Sequence, residues 1–162
     1  MMGRPVAALV AIALVLGACN GESGSTDAPS PASEVTRAEF IERVDAVCAR
    51  EDNRLTGLEA PESLAETGPF LRKVLPVIRG QLDDIRQLGD PPADGREIFL
   101  RWFEARDGIV ETTVAMIEAA EEGNGSLFQR MVVVQEELDD RADEAAEAYG
   151  LEVCGRGGET GS

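Results

Sequence analysis

Three groups of side chains in this sequence have chemistry to offer. The first is the three cysteines, Cys19, Cys48 and Cys154. A thiol can cross-link, attack an electrophile as a thiolate or ligate a metal. The second is the acidic row Glu136, Glu137, Asp139, Asp140, Asp143, Glu144 and Glu147. Its carboxylate oxygens are the kind that a hard cation such as calcium takes. The third is the apolar set Phe99, Trp102, Phe103, Met116, Met131 and Tyr149, which at helical spacing reads first as core and, as the alternative, as the lining of a pocket for a lipophilic ligand between helices.

The rest of the composition narrows these options. There is no histidine, so no imidazole base, no Glu-x-x-His di-metal site and no histidine-ligated haem. No Gly-x-Ser-x-Gly elbow and no phosphate loop occurs. The acidic row repeats like charges at i, i+4 and lacks the turn glycine of a calcium loop. It therefore reads as a solvated face, with no metal and no cofactor expected. Lys plus Arg number 15 and Asp plus Glu 31, a net charge of −16. That charge repels nucleic acid and anionic headgroups and favours a cationic partner. With 43% of residues hydrophobic, the chain is nonetheless able to build a core.

The elements that must position these groups are helices. Thr36 and Glu39 have capping-box spacing, and Val35 with Phe40 suits a hydrophobic staple. Ile41, Val44, Cys48, Leu55 and Leu58 then recur at helical spacing, with Glu51 interrupting the stripe. Cys48 on that stripe faces the core. Residues 57–68 read as a loop, and Pro69 as the opening residue of a second helix. Pro76 lies within its apolar period and is expected to kink or split it. Asp90-Pro91-Pro92 forms a stop, and Asp94 with Glu97 suggests the cap of a third helix. Its stripe runs Ile98, Trp102, Ala105, Ile109, Thr113, Met116 and Ala120. Ser126 with Gln129 reads as the cap of a fourth helix, carrying Leu127, Met131, Val134, Leu138, Ala142, Ala145 and Tyr149. Gly150 follows as a left-handed terminator, with Leu151 folding back onto the helix. The expected fold is an all-α, antiparallel four-helix bundle with its second helix kinked at a proline.

The start of the chain carries a different pattern. Arg4 precedes the apolar run Val6–Leu16, followed by the small residues Gly17 and Ala18. This is the layout of an export signal, too short for a membrane span, which needs about 20 residues. Leu16-Gly17-Ala18-Cys19 resembles the lipobox of bacterial lipoproteins. That resemblance implies cleavage before Cys19, a diacylglyceryl group on its thiol and palmitate among its acyl chains. With the lipobox, the Gly/Ser/Pro-rich stretch after it, Val47-Cys48 and the closing Tyr149–Gly155, the chain resembles small exported helical lipoproteins of actinobacteria. With Cys19 so used, Cys48 and Cys154 remain as an even pair in an oxidising compartment, which favours a disulfide over free or reactive thiols. The domain plan is a signal peptide at 1–18, a lipidated tether at 19–33, the bundle at 34–154 and a loose tail at 155–162. One tension remains: Cys48 sits about 18 Å into the first helix, at 1.5 Å per residue from Thr36. Cys154 follows the fourth helix, so a bridge needs the tail to run along the first helix or the helix ends to be staggered.

The sequence is thus read as a non-catalytic binding or interaction module, anchored by lipid to the extracytoplasmic face of the cell membrane. Its expected partners are the membrane and a cationic envelope component, met by Glu59, Glu62, Glu66, Glu121 and Glu122 in two loops. The alternative is a carrier of a small apolar ligand or lipid inside the bundle, and a third possibility is an enzyme of unknown class.

Overall fold

The structure, a computed structural model, describes residues 35–155. The signal segment, Cys19, the 19–33 stretch and residues 156–162 lie outside the described residues. Four helices form the fold: α1 (Arg37–Leu55), α2 (Leu64–Gln87), α3 (Arg96–Glu121) and α4 (Gly125–Tyr149). There is no strand among the described residues. The described residues form an all-α four-helix unit in which α3 packs against α2 and α4, and α1 packs against α2. Near its start α3 brings Phe99 against Tyr149 at the end of α4, and Gly108 further on lies against Leu138. Gly68 early in α2 lies against Ala120 and Glu121 late in α3, while Arg86 late in α2 reaches Asp107.

Each helix boundary has a local cause, and several differ from the sequence expectation. The capping box of α1 forms: the Thr36 hydroxyl accepts the Glu39 N–H, and the Glu39 carboxylate accepts the Thr36 N–H. Helix α2 starts at Leu64, not at Pro69, and it runs unsplit through Pro69 and Pro76 to Gln87. The two prolines are seven residues apart and both exposed, so the helix face that lacks their N–H groups is turned to water. The cap of α3 is Gly95, in the left-handed region at φ +80°, rather than Asp94. Asp94 instead faces the guanidinium of Arg37. The cap of α4 is Asn124, whose side-chain oxygen accepts the Leu127 N–H, so Ser126 does not cap it. Gly150 ends α4 in the left-handed region at φ +93°, with the N–H of Gly150 and of Leu151 both donating to the Ala146 carbonyl. Leu151 is buried, as its place in that motif requires.

The core sits where all four helices contribute. Phe40, Val44, Val47 and Cys48 of α1 meet Ile85, Phe99, Trp102, Ala105, Ile109, Leu138, Ala142, Ala146 and Tyr149. Phe99 is its hub, with ring centroids of Phe40, Trp102 and Tyr149 at 5.1, 5.3 and 5.2 Å. Glu51 is buried on the same helix face and is held by Arg54 at 2.9 Å and Arg50 at 3.3 Å. A buried carboxylate without such partners would be strongly unfavourable.

The disulfide Cys48–Cys154 closes a sequence separation of 106 residues, with Cα atoms 5.4 Å apart. On the chain-entropy argument such a closure contributes about 4–5 kcal/mol. The tail after α4 does run along α1, which removes the tension left by the sequence. Arg37 donates to the carbonyls of Ala148 and Tyr149, fixing the start of α1 at the end of α4. Gly150 already lies beside Ile41, two turns before Cys48, and the residues after it bend back along α1. Asp45 guides the path: its carboxylate accepts the backbone N–H groups of Glu152, Val153 and Cys154 at 3.0, 3.0 and 3.1 Å.

Asp45→Ala is expected to cost about 2–3 kcal/mol, because three donors lose a charged acceptor at once. Urea denaturation of the oxidised protein measures this. Gly95→Ala is expected to destabilise by about 1–3 kcal/mol, from positive-φ strain plus crowding. An added Cβ there would lie 3.0 Å from the Tyr149 ring and 3.2 Å from the Arg37 guanidinium. Gly57 shares the conformation at φ +89° but has open space around it, so Gly57→Ala should cost distinctly less than Gly95→Ala when both are compared by urea denaturation.

Candidate functional site: the groove between the third and fourth helices

Hydrophobic periodicity leaves some apolar residues over, and they mark the site. Among the described residues the large hydrophobics that stand exposed are Leu100 at 50%, Val133 at 53% and Val134 at 40%. Leu100 lies on α3, off the stripe that faces the core. Val134 was expected in the buried stripe of α4 and is not buried. It is one turn before Leu138 and two turns before Arg141, so it stands on the same helical face as both.

That face borders a groove of about 800 Å³ running between α3 and α4. Leu100, Phe103, Ala105 and Gly108 form it from α3, and Leu138, Ala145 and Ala148 from α4. The floor is made of small and apolar side chains. Gly108 has a specific reason to be glycine: a Cβ there would come within 2.9 Å of a Leu138 methyl, so its absence lets the two helices approach. The rim is charged, with Arg101, Glu104, Asp107 and Glu111 on α3 and Arg141 and Glu144 on α4. Asp107 is engaged by Arg86 at 2.9 Å, and the same guanidinium lies 4.9 Å over the Phe103 ring. Among the described residues none forms an ion pair with Glu104, Glu111 or Glu144.

On α3 next to the groove, Arg106 points inward to the other helices. It donates to the Gln81 side chain at 2.9 Å and feels the carboxylates of Asp139, Asp143 and Asp52. Burial lowers the Arg106 pKa below its ordinary value, and those three charges offset part of the effect. Burial likewise raises Asp52, Asp139 and Asp143 from the ordinary aspartate value, against the pull of Arg106. Asp143 and Asp140 push Asp139 up further. The acidic row on α4 is otherwise exposed, and among the described residues no group of three or more Asp, Glu, Cys or His side chains is placed to hold a metal ion.

The apolar set singled out from the sequence is only partly gathered. Phe99, Trp102, Phe103 and Tyr149 cluster, but Phe99, Trp102 and Tyr149 are interior packing, and only Phe103 reaches the groove. Trp102 Nε1 and the Tyr149 hydroxyl are buried in this packing with no hydrogen-bond partner among the described residues. Burial raises the Tyr149 pKa, with Arg37 acting in the opposite sense. Met116 is buried and Met131 half-buried, and neither lines the groove. The two acidic loops meet at the end of α2 and α4 remote from the disulfide, around an open cleft of about 480 Å³ formed by Pro61, Leu64, Gly125 and Phe128. Two of their five glutamates are used internally: Glu66 accepts the Glu62 N–H, and Glu121 pairs with Arg72.

The raised carboxyls give a signed expectation. A group whose pKa is higher in the folded state holds its proton longer there. Its stabilising contribution is full below the unfolded pKa and is lost as pH rises through the folded value. Asp139→Asn fixes the neutral form at every pH. Its stability relative to the parent should therefore increase as pH rises from about 4 to about 7 in equilibrium urea denaturation. A relative stability that falls over that interval would mean that the Arg106 attraction dominates instead.

Neither a family model, nor a curated protein, nor a solved structure matches this chain.

Proposed function

We propose that the protein is a non-catalytic interaction module, held by lipid on Cys19 at the extracytoplasmic face of the cell membrane, and that it binds through the groove between α3 and α4. The observation that carries the binding part is the placement of the exposed hydrophobics. Leu100 lines the groove and Val134 extends its apolar line. Exposed apolar surface with a polar rim is characteristic of recognition sites. The interaction reading is favoured over an interior carrier because Phe99, Trp102 and Tyr149 occupy the space a carried ligand would need. The membrane part rests on the export-signal layout ending in Leu16-Gly17-Ala18-Cys19 and on the paired Cys48 and Cys154, which suit an oxidising compartment. No helix among the described residues is long and apolar enough to cross a membrane.

Two measurements test the parts separately. Intact mass spectrometry of the membrane fraction should find a chain beginning at Cys19 with added acyl mass, and an unmodified thiol there would refute the anchor. Photo-crosslinkers placed at Glu104 or Arg141 in the full chain should trap a discrete partner in intact cells, with the yield lost in Leu100→Glu. Crosslinking from Glu59 and Glu122 but not from the groove would move the binding face to the acidic loops.

A further inference from the structure

We infer that the groove between α3 and α4 receives a basic amphipathic helix of a partner protein, an inference that rests on the groove being the binding face. Shape points to a helix. Leu100 to Glu111 runs about 16 Å along α3, and Leu138 to Ala148 about 15 Å along α4, at 1.5 Å per residue. That is about three turns of a channel walled by two helices, into which the apolar face of a third can settle. The floor of Ala105, Gly108, Ala145 and Ala148 allows close approach, Leu100 stands at one end, and exposed Val134 lies one helical turn before Leu138 on the same face of α4. The described residues present no sheet edge, so an extended peptide would find no backbone ladder to join.

Charge points to a basic partner. The rim carries the carboxylates Glu104, Glu111 and Glu144 against the guanidiniums of Arg101 and Arg141, with Asp107 already paired to Arg86. Exposed Glu137, Asp140 and Glu147 extend the negative field along α4. A second copy of this chain would bring the same net charge of −16 and be repelled. Lysines flanking an apolar stripe match the rim, steer the encounter and let the leucines reach the floor.

The test uses the full lipidated chain in zwitterionic nanodiscs, with empty nanodiscs as the blank, at near-physiological salt. The probe is a labelled synthetic peptide of about 14 residues with leucines at helical spacing i, i+3, i+4 and i+7 and lysines on its flanks. Two controls are the same composition with the stripe scrambled, and the same stripe with glutamates for lysines. The basic stripe peptide should bind at least about tenfold more tightly than either control by fluorescence anisotropy. Leu100→Glu and Val134→Glu should each weaken it by about tenfold while leaving the circular dichroism unchanged. Equal binding of the acidic peptide would overturn the charge class and leave the groove as the binding face. Strong binding of the basic peptide that neither substitution affects, or equal binding of the scrambled peptide, would overturn the helix-in-groove assignment. Failure of all three peptides would overturn both this inference and the groove as binding face. Dimers in sedimentation that Leu100→Glu abolishes would make the occupant a second copy, contrary to the inference.

Discussion

The attachment of the chain's end to α1 is the constraint that fixes the first helix on the other three and closes the core. Helix α1 has 19 residues, against 24, 26 and 25 in α2, α3 and α4. It is about 28 Å long beside partners of about 36–39 Å. So short a helix covers only part of the layer made by the others. Three interactions hold it there from the far end of the sequence: Arg37 on the last carbonyls of α4, Asp45 on three N–H groups of the tail and Cys48 on Cys154. The Arg37 guanidinium also lies 4.7 Å over the Tyr149 ring. These contacts link residues more than one hundred positions apart, so the entropy of a long loop is removed by a covalent bond and the local path is set by hydrogen bonds.

Burial is asymmetric as a result. The aromatic cluster around Phe99 and the buried residues of α1 lie at the end where α1 and the tail meet α3 and α4. Towards the other end, Leu64, Phe70, Val74, Leu75, Val114, Leu127, Phe128 and Met131 are only half-buried. On its inner side α3 presents Arg106 to carboxylates of α1 and α4, and on its outer side it forms a wall of the groove. The same helix therefore divides a polar interior contact from an apolar outer channel. Leu100 and Val134 lie on the outer side, where no other part of the described chain covers them.

Much of the fold was legible in the sequence, because its signals were local. Thr36 with Glu39, and Gly150 with Leu151, act within one turn of backbone, and the structure makes the hydrogen bonds their spacing implies. The cysteine pairing was legible by arithmetic. What failed was decided by competition between neighbours. Asp94 lost its capping role because Gly95 already turns the chain at positive φ and Arg37 supplies another partner. Asn124 displaced Ser126 as cap, and Pro69 lies within α2 because the helix is already under way at Leu64. Of the site, Phe103 was named as core or as the lining of a pocket between helices, and Val134 was placed in the core by its period. Periodicity reports that a face is apolar but not whether another helix covers it. Leu100 carried a usable signal, as a large apolar residue outside the stripe of its helix.

The central claim is that the tail and its disulfide hold α1 on a layer of three longer helices that otherwise packs through its own contacts. Native-state hydrogen exchange on the oxidised and reduced full chain tests it directly. After reduction, amides of Arg37–Leu55 should lose protection first, while those near Trp102, Ile109 and Ala142 keep most of theirs. Simultaneous loss of protection in all four helices, or an α1 that remains as protected as before, would contradict it.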